Sequence, residues 1–445
     1  MTEPLTLDDL MALDRRHLWH PFTQAATAQP PLPVVSARGA RLTLADGREI
    51  IDMISSWWVT LHGHAEPAIA QAIAAQALKL EQVIFADFTH EPAVRLASRL
   101  ARLLPDGLSR VFFSDNGSTA VEVALKLAFQ YWRNRGHTDR NRLLAFDGGY
   151  HGDTFGAMAA GQGSGFHGPF HDLLFPVTLL PFPATWANDE QVAEKEAASL
   201  AALDHWLARH GDETAALIVE PLVQGAGGMR MCRPIFLQEL ASRLRAAGVL
   251  LIFDEVMTGF GRTGPLFACQ RTGVTPDIIC LAKGLTGGFL PLAATICREE
   301  IYEAFLGGSF DRAFAHGHSF TANPLGCAAA LASLDLLGLP ACSARRTMIE
   351  RRHRNWIQRL AVHPRLIRPR VLGTIVAVEL ETDDFGYTAA IAGRLKQYFL
   401  NNNLLIRPLG PVIYLLPPLC VTDEQLDRAY MVIEDAGVAV TGARP

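Results

Sequence analysis

The sequence predicts an α/β fold: a large domain with a mostly parallel sheet, accompanied by a smaller α+β domain. Three observations carry that expectation. Between about residues 67 and 325 short apolar runs alternate with helical patterns, the order expected of strands joined by crossover helices. Those runs are apolar throughout rather than at every second position, as suits strands covered on both faces. The polar residues capable of chemistry fall just after the runs, where open α/β sheets bind ligands.

Taken in order, residues 1–66 read as an N-terminal segment belonging to the smaller domain. It is Pro-rich, irregular chain with short extended pieces such as Arg41-Leu-Thr-Leu44, which ends at the turn Asp46-Gly47. Residues 67–330 form the large domain. Its strands are Val111–Ser114, Leu143–Phe146, Leu217–Glu220, Val249–Phe253 and Asp277–Leu281, and a helix covers Ala120–Tyr131. Residues 331–445 form the C-terminal part of the small domain, with a helix-rich stretch, a strand over Val371–Leu380 and a last helix after Thr422.

Composition narrows the function. A chain of 445 residues with 49% hydrophobic and 19% charged residues has the makeup of a globular protein with a sizeable core. Its formal net charge of −5 offers no basic footprint for nucleic acid. No apolar run approaches the roughly 18 residues of a membrane span, and the acidic start Met1–Leu10 does not resemble a secretory leader. A cytoplasmic enzyme of small molecules is expected. The seven cysteines are odd in number and none is spaced CxxC, so neither a disulfide framework nor a zinc site is expected. His62 and His64 imitate a zinc pair without a third ligand at suitable spacing, so no metal is expected.

The residues after the strands suggest one cofactor. Pyridoxal 5′-phosphate (PLP) needs an amine for its aldehyde, a carboxylate for its pyridine nitrogen, backbone N–H groups at a helix N-terminus for its phosphate, and a flat partner for its ring. Lys283 follows the run ending at Ala282, and Asp254 follows Phe253. Gly117-Ser118-Thr119 opens the helix after Ser114, and Tyr150 lies in the Gly-rich loop after Phe146. Singly, each has an ordinary explanation: a solvated loop lysine, a helix-capping aspartate, a ligand-free helix start, a packed loop tyrosine. Their joint occurrence at successive strand ends is what makes the case.

Two stretches then carry a family resemblance. Ile252-Phe-Asp-Glu-Val-Met-Thr-Gly-Phe-Gly-Arg-Thr-Gly264 and Pro276-Asp-Ile-Ile-Cys-Leu-Ala-Lys-Gly-Leu-Thr-Gly-Gly288 resemble the signature of class III PLP-dependent aminotransferases, with 283 − 254 = 29 residues between carboxylate and lysine. The likeness implies PLP-dependent transferase fold type I, the aspartate-aminotransferase-like fold. Within the class, further stretches resemble the biotin-pathway branch: Trp19–Thr23, Ser55–Trp58 with Leu61–Gly63, Thr89–Pro92, Gly149–Met158, Glu220–Met231, Arg407–Gly410 and Tyr414–Pro418. That branch aminates an amino-keto acid, usually with S-adenosylmethionine as donor and in some relatives with lysine. The alternatives left open are class III enzymes for ornithine, 4-aminobutyrate or other ω-amines, and a PLP-dependent aminomutase or racemase.

Carried over by position, the resemblance implies Lys283 as the Schiff-base lysine and proton shuttle, with Asp254 and Tyr150 as its catalytic companions. Gly117 and Ser118 hold the phosphate, aided by His318 and Ser319. Trp57, Tyr150, Lys283, Gly317, Arg407 and Phe22 bind substrate, and Asp153 and Arg262 belong to the same cluster. Gly317, His318 and Ser319 come from the second subunit of a homodimer. Phe22 stands where a close version of the motif has tyrosine, and His318-Ser319 replaces a Pro-Thr pair. Since side chains alternate along extended chain, Trp57 is expected to face the pocket and Trp58 the core.

Overall fold

The computed structural model describes residues 5–162, 165–383 and 390–440. Its centre is a seven-stranded sheet in the order Leu108–Ser114, Ala293–Arg298, Ile278–Leu281, Leu250–Asp254, Thr214–Val219, Arg142–Phe146, Thr178–Leu180. Only Ala293–Arg298 runs against its neighbours; the remaining pairings are parallel. Both faces are covered, which explains the unbroken apolar runs. Ala216, Ile218, Leu250 and Ile252 pack on one side with Ala124 and Ala128 of the helix Gly117–Asn134. Leu217, Val219, Leu251 and Phe253 pack on the other with Leu237 and Leu240 of the helix Pro234–Ala246.

Each expected strand of the large sheet is present, with no end moved by more than three residues. The helix after Ser114 starts earlier than its apolar pattern suggests. The Asn116 side chain accepts the Thr119 N–H at 3.1 Å and the Thr119 hydroxyl accepts the Asn116 N–H at 3.0 Å, so Gly117 is already helical.

The chain ends meet in a second sheet. Leu404–Leu405 runs parallel to Glu49–Asp52, which continues into Arg41–Leu44 and Val34–Arg38. The expected single strand over Val371–Leu380 is instead an antiparallel hairpin, Leu366–Leu372 and Ile375–Leu380, extended by Val412–Leu415. Gly373 makes the turn at φ +57°, where a Cβ would lie 2.3 Å from the Arg262 carbonyl oxygen, so this position requires glycine. The last helix, Asp423–Ala439, follows Thr422 as expected, and Thr422 and Gln425 form a capping box at its start. Among the described residues, no single helix is long and apolar enough to cross a membrane.

Because Ala293–Arg298 alone is reversed, the other six strands end at one edge of the sheet. The segments leaving Ser114, Phe146, Val219, Asp254 and Leu281 therefore converge, and they form the floor of the site.

Candidate active site

A cavity of about 740 Å³ opens over those strand ends. Its wall includes Lys283, Asp254, Glu220, Gly117, Ser118, Tyr150, Asp153, Trp57, Trp58, Phe22 and Arg407. One space thus gathers most of the expected site residues, from five strand ends and both smaller-sheet regions.

Lys283 follows the strand Ile278–Leu281 at φ +44°, a left-handed conformation uncommon for a side chain of this size. Its Nζ lies 4.9 Å from the centre of the Trp58 ring. Desolvation lowers its pKa from the ordinary lysine value, against the upward pull of the Asp254 and Glu220 charges. The neutral amine, which can attack a carbonyl or accept a proton, is thereby favoured.

Asp254 ends the strand Leu250–Asp254 and is 4% exposed. One carboxylate oxygen takes the His151 Nδ1 position at 2.7 Å; the other accepts the Val256 N–H at 3.0 Å. Burial opposes a charged His151, but the hydrogen bond and charge of Asp254 outweigh it and raise the imidazole's pKa. Beside them, Glu220 accepts N–H groups from Tyr150 at 3.0 Å and Gly225 at 2.9 Å. Burial pushes its carboxyl up to about 7.

Another part of the wall is the N-terminus of the helix Gly117–Asn134, with Asn116, Gly117 and Ser118. A Cβ on Gly117 would stand 2.7 Å from Val256 Cγ1, and one on Gly152 would stand 2.1 Å from Ser118 Oγ. The Ser118 hydroxyl also accepts the Asp153 N–H at 3.2 Å. Glycine therefore keeps this helix start open and its N–H groups approachable.

Tyr150 stacks on His167 at 5.9 Å between ring centres and meets Phe166 edge-on at 5.6 Å. Burial, then the Asp153 carboxylate, keep its phenol protonated far above the ordinary range. The Asp153 carboxyl is in turn held below its usual range by His167 and by the Tyr150 hydroxyl. Opposite, the Arg407 guanidinium lies 4.7 Å over the Trp57 ring, which touches Phe22 at 5.7 Å. This end joins a fixed cation to an aromatic wall, suited to a carboxylate on an apolar chain.

Two expectations need revision. Trp58 is buried, but it also lines the cavity. The alternation argument fails because residues 55–58 are not extended: Ser55, Ser56 and Trp58 have φ of 53°, 59° and 68°. Arg262 does not line the cavity. It is 2% exposed, donating to the Pro417 carbonyl at 2.7 Å and to Ser55 Oγ at 2.9 Å. Gly317, His318 and Ser319, expected from a second subunit, do not line this chain's cavity; His318 Nδ1 is 3.6 Å from Asp115 Oδ2. His62 and His64 diverge, bonding Ser333 Oγ at 3.0 Å and Asp52 Oδ2 at 2.9 Å.

His151, Glu220, Phe166 and Tyr414 were not singled out from the sequence. His151, Glu220 and Tyr414 sit inside stretches that carried the resemblance, so the signal was present without a role attached. Phe166 had no such signal.

Comparison with known proteins agrees with this geometry. Residues 22–436 match the family described as aminotransferase class III. The chain is 59% identical over 94% of its length to a curated protein of Synechococcus elongatus named adenosylmethionine-8-amino-7-oxononanoate aminotransferase, 98% of which is covered. A crystal structure under the same name from Methanocaldococcus jannaschii superposes with TM-score 0.89 at 32% identity, covering 98% of this chain and 99% of that one. An (S)-enantioselective omega-transaminase from Thermomicrobium roseum superposes with TM-score 0.91 at 30% identity, covering 99% of this chain and 100% of that one.

Proposed function

The chain belongs to the class III aminotransferase family, whose members depend on PLP, and from that premise we propose that it converts 8-amino-7-oxononanoate to 7,8-diaminononanoate with S-adenosylmethionine as amino donor. The observation that carries this is the joining of Lys283 and Asp254 with the Trp57–Arg407 pair in one cavity. The name shared by the curated relatives supports the substrate assignment.

The residues present fit PLP. The glycines at 117 and 152 keep a helix N-terminus clear where any Cβ would collide. A buried carboxylate backed by His151 stands beside the reactive amine. Gly117 and Ser118 would hold the phosphate, Asp254 the pyridine nitrogen, Lys283 the aldehyde carbon, and Tyr150 would cover the ring. When bound, the cofactor supplies the electron sink and the carbon that carries the amino group between substrates.

The chain's own groups do the rest. Lys283 Nζ, its pKa lowered by burial, would move a proton from the donor's Cα to the cofactor carbon in one half-reaction and in the reverse direction in the other. His151, made more basic by Asp254, hydrogen-bonds that carboxylate and fixes its orientation in the cavity wall. Arg407 binds the substrate carboxylate with a planar fork. The Trp57 and Phe22 faces cover the apolar chain and exclude water; they also suit a sulfonium donor.

We also propose a homodimer in which the second copy contributes Gly317, His318 and Ser319. Their place outside this chain's cavity wall supports it, as do the exposed apolar side chains Trp19, Ile84, Phe88 and Phe320. Sedimentation velocity should give twice the mass of one chain; a monomer with full activity would remove the proposal.

The deciding experiment adds 7,8-diaminononanoate to PLP-loaded protein without acceptor. Loss of the visible cofactor band is expected. A band that persists with this diamine but is lost with ornithine or 4-aminobutyrate would keep the family and overturn the substrate.

A further inference from the structure

The turn carrying both tryptophans is strained, and one buried carboxylate outside the cavity holds it. Ser55, Ser56 and Trp58 have positive φ, and Ser56 combines φ 59° with ψ −91°. Residues with a Cβ persist in such conformations only where their surroundings over-determine them. Asp52, the last residue of the strand Glu49–Asp52, is 0% exposed and absent from the cavity wall. Its Oδ1 accepts the Ile54 N–H at 3.0 Å and its Oδ2 accepts the Ser56 N–H at 2.7 Å. The Ser56 hydroxyl lies 3.4 Å from the same Oδ2, and His64 Nε2 completes the set at 2.9 Å. His64 is itself fixed, its backbone exchanging hydrogen bonds with Gly39 at 2.7 and 3.1 Å.

The far side of the turn is tied separately. Ser55 Oγ donates to the Leu416 carbonyl at 2.8 Å and accepts from Arg262 Nη2 at 2.9 Å. Between these anchors the chain delivers Trp57 beneath Arg407 and Trp58 against Lys283, with Trp58 Nε1–H donating to the Tyr414 hydroxyl at 2.9 Å. A relaxed, extended segment would send successive side chains to opposite sides. Both indole rings reach one cavity only because the turn is forced.

We propose that Asp52, fixed by His64, is a positioning residue of this site: its carboxylate holds residues 55–58 in the turn that pairs Trp57 with Arg407 and Trp58 with Lys283. Asp52 touches neither substrate nor cofactor and acts through the two tryptophans. The proposal rests on the proposed function only in taking this cavity as the substrate site.

The test is a pair of double-mutant cycles on the holoenzyme. Asp52→Asn keeps the shape but removes the charge and one acceptor. It should raise KM for 8-amino-7-oxononanoate about tenfold while kcat stays within about threefold. Trp57→Phe alone should also raise KM, but in the Asp52→Asn background its further effect should fall below about twofold. The second cycle reads near-ultraviolet circular dichroism without substrate. The difference spectrum between wild type and Trp58→Phe should largely disappear when both carry Asp52→Asn. Additive effects in both cycles, or an unchanged KM with only a lower Tm, would overturn the proposal and leave Asp52 a stability residue. If Asp52→Asn does not yield folded protein, His64→Ala removes one of the four contacts and enters the same cycles, with smaller effects of the same pattern expected and additivity again decisive. The dichroism cycle needs no substrate, so it tests the positioning role even if 8-amino-7-oxononanoate proves to be the wrong substrate.

Discussion

Glu220 makes the folded protein's stability depend on pH in a direction that can be worked out in advance. Burial raises its carboxyl from 4.5 to about 7. A carboxyl with a raised pKa binds its proton more tightly folded than unfolded. The stability it contributes is fully present below about pH 4.5 and is lost as pH rises through about 7. At 1.36 kcal/mol per pH unit the change is on the order of 3 kcal/mol. For 445 residues, with unfolding entropy near 2.1 cal/mol/K per residue, that corresponds to about 3–4 °C in Tm. Glu220→Gln is neutral at every pH and keeps nearly the same volume. Differential scanning calorimetry of the cofactor-free proteins from pH 4.5 to 8 should show the wild-type Tm falling relative to the variant by about that amount. The raised pKa of His151 likewise gives stability below about pH 6.5 that is lost as pH climbs; because the Glu220 charge contributes to that rise, the difference between variants reports Glu220 together with its coupling to His151. A Tm difference that stays constant across the range would mean the carboxyl is ionised throughout, and would refute the reasoning.

Three further outcomes are expected. Lys283→Ala should retain the fold by far-ultraviolet circular dichroism but lose at least about a thousandfold in turnover, since both nucleophile and proton carrier go. Arg407→Lys should raise KM for the carboxylate substrate about ten- to a hundredfold, corresponding to about 1.5–3 kcal/mol for a charged hydrogen-bonded group, with a smaller change in kcat. Gly117→Ala should weaken PLP binding by at least about tenfold in equilibrium dialysis, because its Cβ would stand 2.7 Å from Val256 Cγ1. Adding Val256→Ala should recover most of that loss, whereas no recovery would remove the steric explanation.

Much of the architecture was legible from local pattern. Apolar runs without alternation announced strands covered on both faces, and Ser114, Asp254 and Lys283 could be placed at or beyond strand ends because the runs stop there. Parallel strands bring such ends to one edge, so the floor of the site followed from their order along the chain. Family likeness added Trp57, Phe22 and Arg407, which no periodicity could have connected, since more than 300 residues separate Arg407 from the other two.

Other features were decided only by tertiary structure. A strand was expected through Val371–Leu380 because its residues are apolar and β-prone; Gly373 breaks it where the Arg262 carbonyl leaves no space for a side chain. Trp58 was assigned to the core by alternation, which holds for extended chain but not for a turn bound to Asp52, Leu416 and Arg262. Arg262 itself was grouped with the substrate residues, yet its partners are a carbonyl 155 residues away and the Ser55 hydroxyl. The raised pKa values of His151 and Glu220 arise from burial and from neighbouring charges brought together by separate strand ends. Local sequence therefore determined the strands, the helix start at Gly117 and the identity of the reactive groups, because backbone preference and apolar patterning act over a few residues. Which side chains share the cavity, in what charge state and on which strained backbone, was settled by contacts between segments distant in sequence.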